Sequence, residues 1–115
     1  KAILAYLPEE QIREILSETE LEQKTPHTIT DPDRLRDELT DIRERGYAYS
    51  EEESIEGLRS VAAPVLLDGH VLCSVSLAGP TNRFVGERFR EDIPATVQGA
   101  ANEIELRLTY SESGF

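Results

Sequence analysis

The hydrophobic pattern at the start of the chain predicts two helical segments. The segment KAILAYL is typical of the end of a helix, and Pro8 suits the first turn of another helix. Glu9 and Glu10 then lie near the positive end of that helix, where acidic side chains are favoured. Its apolar positions follow an i, i+3, i+4 pattern, formed by Ile12, Ile15 and Leu16. The polar connector EQKTPHTITD follows.

A further helix is predicted from Asp31 to Gly46. Asp31 is a good N-cap residue, Pro32 suits the first helical position, and Gly46 is typical of a C-terminal stop. The apolar positions expected to face the core are Leu35, Leu39 and Ile42. A short strand, YAYS, and an acidic loop, EEESIEG, come next.

The segment RSVAAPVLLDGHVLCSVSLAG predicts a β-hairpin with two possible turns. A two-residue type I′ turn at Asp68-Gly69 would pair Leu67 with His70, and both faces would be mixed. A three-residue loop would leave Gly69 left-handed in a bulge and pair Leu66 with His70. A register shift of one residue changes which side chains of the two strands share a face. The hydrophobic pattern can therefore distinguish the two turns.

The three-residue loop separates the faces cleanly, so we expect it. One face is then wholly apolar and contains Val61, Ala63, Val65, Val71, Cys73, Val75 and Leu77. The other contains Ser60, Ala62, Pro64, Leu66, His70, Leu72, Ser74, Ser76 and Ala78. We expect the apolar face to pack on a long final helix, and the small polar side chains of the other face could form the floor of a ligand site.

The final helix shows a long apolar repeat. Its members are Phe89, Ile93, Val97, Ala100, Ala101, Ile104 and Leu108. Pro94 is expected to kink this helix or to mark its true beginning. The chain has no internal repeat, so we predict one domain over residues 1–115, α/β in class and of the α+β type.

Charge excludes several kinds of partner. The net charge is −11, which disfavours direct contact with DNA or an anionic membrane surface. No apolar run approaches the ~20 residues needed to span a bilayer.

Ten of the twelve basic residues are arginines, and seventeen of the acids are glutamates. Such an acidic, lysine-poor composition predicts a protein from a salt-loving cell. The single cysteine fits a reducing cytoplasm.

The sequence contains few residues that could support catalysis. His27 and His70 are expected in solvent, and Cys73 is expected to be an inert thiol in the core. No nucleophile elbow, phosphate-binding loop or metal-ligand spacing is present, so neither a metal nor a cofactor is predicted. The acidic run Glu51–Glu53 is typical of a solvated face, although it could bind a cation. Arg59 could clamp a carboxylate or pair with that run.

The segment TITDPDRLRDELTDIRERGYAYSEEESIEGLRSVAAPV, followed by SVSLAGP, resembles the effector-binding domain of IclR-type transcriptional regulators. The resemblance covers most of the chain and is most specific in the spacing of Gly46, Ser50, Glu53 and Ser60 before VAAPV. It implies a GAF-like or profilin-like curved antiparallel sheet with flanking helices. Because the chain begins at the lysine of the family's GKA segment, the N-terminal part of the domain is expected to be missing.

The same resemblance implies a function. The family's domains bind a small organic acid or an aromatic metabolite, form dimers or tetramers, and contact DNA only through a separate N-terminal winged-helix domain. The positions that would contact ligand here are Ser50, Ser60, Ala62, Ser76 and Ala78. Three of them depart from the family pattern. Ser50 replaces an acid, Ser60 a cysteine and Ala78 a serine, so the ligand's identity does not carry over.

We therefore predict a cytoplasmic ligand-sensing domain of an IclR-type regulator that performs no chemistry. Two other classes remain open from the residues alone. One is a purely structural oligomerisation module without a ligand. The other is a small GAF-like enzyme.

Overall fold

A computed structural model describes residues 1–18, 24–53 and 55–112, which form one antiparallel sheet with helices on both sides. The helices are α1 (Glu9–Glu18), α2 (Pro32–Arg45) and α3 (Ile93–Glu112). The strands are β1 (Ala48–Glu51), β2 (Leu58–Leu67) and β3 (His70–Pro80). Glu22 and Gln23 of the predicted connector and Ser54 of the predicted acidic loop lie outside the described residues.

Helix α2 begins and ends where the sequence predicts. The Asp31 side chain accepts a hydrogen bond from the amide of Asp33 at 3.0 Å, which satisfies one free N–H of the first turn. Gly46 has φ of 90°, and its amide donates to the carbonyl of Ile42. Only a residue tolerant of the left-handed region ends a helix in this way without strain.

The N-terminal segments differ from the predicted helices in two details. KAILAYL forms a 3-10 turn at Leu4–Tyr6 rather than the end of an α-helix. In α1, Ile12 is buried and Leu16 is half-buried, but Ile15 is 39% exposed. The helix thus contacts the core through a narrower stripe than the sequence pattern indicates.

The β2–β3 hairpin combines features of both predicted turns. Its turn is the two-residue one, with Leu67 paired to His70 and with positive φ at Asp68 and Gly69. The preference for the three-residue loop was therefore wrong. A register shift between Val65 and Leu66 then leaves one extra residue in β3. From Val65 back toward the start of β2, the same residues share each face as in the three-residue loop. Each β2 residue, however, pairs with a β3 residue two positions further along than that loop would give.

The two sides of the sheet bury separate cores. On one side, Val61, Ala63 and Val65 of β2 pack with Phe89, Ile93, Val97 and Ala101. On the other, Ala48 packs with Ala2, Ala5, Ile12, Leu35, Leu39 and Ile42. The prediction that the valine face packs on the final helix is confirmed.

Strand β3 is less buried than its sequence suggests. Cys73 is exposed and Leu77 is 44% exposed, because α3 lies mainly over β2. The expected core position of Cys73 was wrong. Near the turn, Val71 pairs with Leu66 and so shares its side of the hairpin instead of the valine side. Leu72, 53% exposed, is the extra residue at the register shift.

The final helix is preceded by a π-helical turn at Arg88–Asp92, which buries Phe89. Helical structure is continuous from residue 86, so Pro94, the second residue of α3, lies where π-helical geometry changes to α-helical and does not mark the beginning of the helix. Ala100 and Ile104 are exposed, contrary to expectation. Among the described residues, no helix has the length and apolar character required to cross a membrane.

Candidate ligand-binding site

A cavity of about 470 Å³ lies on the side of the sheet opposite α3. Strands β1, β2 and β3 supply its floor, and the start of the chain, the connector and α2 contribute its walls. The lining residues are Lys1, Ala2, Lys24, Thr28, Ile29, Leu35, Ala48, Tyr49, Ser50, Glu53, Ser60, Ala62, Ser74 and Ser76. The volume is within the range of small-molecule sites.

Four of the five predicted site residues line this cavity. Ser50 pairs directly with Ser60 across β1 and β2, and Ala62 pairs with Ser76 across β2 and β3. Alternation along the strands therefore presents all four side chains on one face. Ala78 pairs with Ser60 and shares that face, but it does not line the cavity.

The sequence analysis did not select the residues that form the walls. Lys1, Thr28 and Glu53 come from three separate parts of the chain, and only the fold brings them to the cavity. Ser74 could have been selected, because the same alternation that identified Ser76 also places it on the serine face.

One wall is held by an ammonium group with two carboxylate partners. The Nζ of Lys1 lies 2.6 Å from an oxygen of Glu38 and 2.6 Å from the nearer oxygen of Glu53. The three side chains are only 17–23% exposed, so solvent screens these contacts less than it would at the surface. Glu38 reaches this group from α2 and Glu53 from the segment after β1, so the ion pairs join two walls of the cavity.

Two threonines of the connector form hydrogen bonds to the backbone of the segment just after β1. The hydroxyl of Thr25 donates to the carbonyl of Glu52, and the hydroxyl of Thr28 donates to the carbonyl of Glu53. Thr25 is buried, with 7% of its surface exposed. These hydrogen bonds hold the connector against the serine face, where it closes one end of the cavity.

The acidic run is more ordered than a solvated face. Glu51 pairs with Arg90 at 2.8 Å, the side chain of Glu52 accepts from the amide of Gly57, and Glu53 pairs with Lys1. In the described part of the chain, no group of three acidic, histidine or cysteine side chains could hold a metal ion. The alternative of a cation site in this run therefore has no support.

Arg59 adopts neither of its two predicted roles. Its Nη1 donates to the carbonyl of Phe84 at 2.8 Å, and its guanidinium lies 5.3 Å from the ring centroid of Phe89. These neighbours place the Arg59 guanidinium on the α3 side of the sheet, away from the cavity. Within residues 1–18, 24–53 and 55–112, no carboxylate comes within ion-pair distance of it.

The cavity is suited to hydrogen bonding, and neither a histidine nor a cysteine lines it. Serine hydroxyls both donate and accept, so a polar ligand could bond to the floor in several orientations. His27 is largely exposed and 3.9 Å from Glu52, and His70 is exposed at the hairpin turn. Neither imidazole lines the cavity, and neither does Cys73. The arrangement presents hydroxyl and charged groups to a space of small-molecule size.

Comparison with known proteins identifies relatives over almost the whole chain. A family model described as bacterial transcriptional regulator IclR, C-terminal, matches residues 1–106. The probable regulator ArcR of Halobacterium salinarum is 40% identical over 109 residues, which are 94% of this chain and 41% of ArcR. This chain therefore spans about two fifths of the length of that relative.

Solved structures share the same fold. The crystal structure of Thermotoga maritima IclR matches with a TM-score of 0.87 and 38% identity, over 93% of this chain and 43% of that one. The inducer-binding domain of PobR from Acinetobacter, a double mutant in complex with 3-hydroxybenzoic acid, matches with a TM-score of 0.84 and 28% identity, over 90% and 60%. The predicted fold class and family resemblance are confirmed.

Proposed function

We propose, from the premise that this chain belongs to the IclR family of transcriptional regulators, that its cavity is a sensor site for a small effector molecule. The chain corresponds to the C-terminal, effector-binding domain of such regulators. The relatives reported above are transcriptional regulators, in agreement with the prediction that this chain is not an enzyme. The haloarchaeal relative likewise supports the prediction of a salt-loving source.

The observation that carries the proposal is the meeting of Ser50, Ser60 and Ser76 on one cavity floor. These hydroxyls come from three adjacent strands and lie on the side of the sheet not covered by α3. The effector we propose is a small organic acid or an aromatic metabolite. Support for this class comes from PobR, whose related domain is known in complex with 3-hydroxybenzoic acid.

The proposed mechanism is a shift between two arrangements of subunits. A ligand can change an equilibrium only by binding one state more tightly than the other. A molecule on the serine floor would contact both the sheet and the connector, so it would favour the state in which these are close. In a cytoplasmic dimer or tetramer, that preference would alter how separate DNA-binding domains engage an operator. β3 has no further strand beside it among the described residues, and such an edge is suited to chain association.

Thermal-shift screening of small carboxylates and aromatic acids, in high salt, tests the proposal. A ligand at one hundred times its Kd should stabilise the protein by about 2.7 kcal/mol. Ser60→Val and Ser76→Val should each abolish that stabilisation, because a hydroxyl partner is replaced by an apolar group of similar size. Ser17→Val, on an exposed position of α1, should retain it.

Two outcomes would contradict the proposal. Conversion of a stabilising compound into a product would show an enzyme. If no compound stabilised the intact regulator and its DNA binding were indifferent to metabolites, the structural oligomerisation module would be favoured instead.

A further inference from the structure

A second polar cavity, of about 490 Å³, adjoins the proposed sensor site. The two cavities share Thr28, Ile29, Tyr49 and Glu53 in their linings, so this group forms the wall between them. We call the second cavity the arginine chamber, because Arg34, Arg45 and Arg90 line it. None of these three arginines lines the sensor site.

The carboxylates of the arginine chamber already have cationic partners. Glu38 and Glu53 both bind Lys1, and Glu51 binds Arg90. Within the described residues, Arg34 and Arg45 have no carboxylate within 4 Å. Three arginines and three carboxylates therefore line the chamber, and the three carboxylates are already paired, in a chain whose net charge is −11. The guanidinium groups of Arg34 and Arg45, unpaired within the described residues, therefore favour an anion in the chamber.

Two of the guanidinium groups are held in place by stacking on one aromatic ring. The guanidinium carbons of Arg45 and Arg90 each lie 4.8 Å from the ring centroid of Tyr49. The Nε of Arg45 donates to the carbonyl of Tyr47 at 2.8 Å. Arg45 ends α2 and Arg90 lies in the π-helical turn, so the fold brings two distant parts of the chain to the same ring.

Stacking leaves the terminal nitrogens of Arg45 available. In the part of the chain that the structure describes, these two nitrogens donate to no protein acceptor, and Arg34 makes no hydrogen bond or ion pair. A guanidinium fixed in orientation binds planar or tetrahedral oxyanions through parallel N–H groups with little further loss of side-chain freedom.

We propose that the arginine chamber is a second binding site, for a small molecule carrying a carboxylate or phosphate group. Arg45 and Arg34 bind the anionic oxygens, and Tyr49 fixes the position of Arg45. Arg90 adds positive charge while it remains paired with Glu51. The site is separate from the serine floor, and an anion bound there contacts the shared wall at Glu53 and Thr28.

Titration calorimetry with inorganic phosphate and with citrate, at constant ionic strength, tests this assignment. At least one of the two should bind the 115-residue chain saturably at one site. Arg45→Gln and Arg34→Gln should each weaken that binding by about tenfold or more, the usual effect of losing a charge-assisted hydrogen bond. Because Arg34 makes no hydrogen bond or ion pair in the described residues, Arg34→Gln tests anion binding without removing such a contact of the fold.

The matched control is Arg83→Gln, which removes the same charge from an exposed turn outside the chamber. It should change the affinity by less than about twofold, as expected for a charge screened by solvent. Equal weakening by Arg83→Gln and Arg34→Gln would show non-specific attraction and overturn the assignment, as would the absence of saturable binding by both anions. Ser60→Val should leave phosphate binding unchanged, so this site and the sensor site can fail independently.

Discussion

The backbone amide of Leu66 donates to the Oε1 of Glu105 at 2.8 Å and joins the β2–β3 hairpin to the final helix. β1 pairs with β2 only between Arg59 and Ala62, and the β2–β3 register shifts between Val65 and Leu66. The sheet therefore leaves this amide to a side-chain acceptor. A buried or half-buried N–H without a partner would be costly, and Glu105 removes that cost.

Glu105→Ala should lower the free energy of unfolding by about 1–2 kcal/mol, because the Leu66 amide loses its acceptor. Urea denaturation measures the change. The control is Glu103→Ala, which removes only the exposed i, i+4 ion pair with Arg107 and should cost less than about 0.5 kcal/mol. Equal effects of the two substitutions would show that the amide is satisfied without Glu105.

Gly79→Ala should destabilise the protein by about 1–3 kcal/mol, as expected for overpacking in a filled site. A Cβ at Gly79 would lie 2.4 Å from a carbon of the Phe84 ring, and Gly79 itself is buried. Gly99→Ala is the matched control, because nothing lies within 4 Å of its added Cβ on α3. There, alanine should stabilise the helix by about 0.5–1 kcal/mol. Thermal or urea unfolding measures the change in stability. A change of the same sign in Gly79→Ala and Gly99→Ala would contradict this packing.

Cys73 should react with a thiol reagent in the folded 115-residue chain, because its side chain is exposed on β3. The rate of modification by a chromogenic disulfide should be within about tenfold of the rate in urea, since exposure is the main control on access. If Cys73 reacted only after unfolding, its side chain would be buried in the folded protein, as the sequence analysis predicted.

The contact of Glu9 with Arg36 should give a small, acid-sensitive contribution to stability. The Arg36 side chain donates to Glu9 at 2.6 Å, and this hydrogen bond lowers the pKa of the Glu9 carboxyl below its ordinary value of 4.5. Because the folded-state pKa is the lower one, the stabilisation is fully present above the unfolded-state pKa. It is lost as the pH falls through the folded-state value.

A carboxyl-carbon NMR titration should show the low midpoint of Glu9 directly. Arg36→Gln should raise that midpoint toward the ordinary value, while Arg83→Gln should leave it unchanged. The contribution to stability should be slight, because Glu9 and Arg36 are both accessible to solvent. An unchanged Glu9 midpoint in Arg36→Gln would show that the contact does not persist in solution.

Much of the candidate site could be predicted, because strand alternation is a local property. Once Ser60 is placed on a face of β2, Ala62 follows at the next position but one. Whether Ser76 shares the face of Ser60 depends on the register between β2 and β3. The apolar pattern indicated the correct face for Ser76, although the predicted turn was wrong. The walls could not be predicted, since the positions of Lys1, Thr28 and Glu53 depend on contacts between distant segments.

The sequence by itself determined the local structure: the capped helix from Asp31 to Gly46, the apolar side of β2, and the serines of the opposite side. Each follows from side-chain chemistry acting over a few residues. Only the tertiary structure decided which of these surfaces are covered. Because α3 lies mainly over β2, Cys73 on β3 is exposed. Because Lys1 pairs with Glu38 of α2 and with Glu53, and the connector is hydrogen-bonded to Glu52 and Glu53, the serine side becomes a cavity.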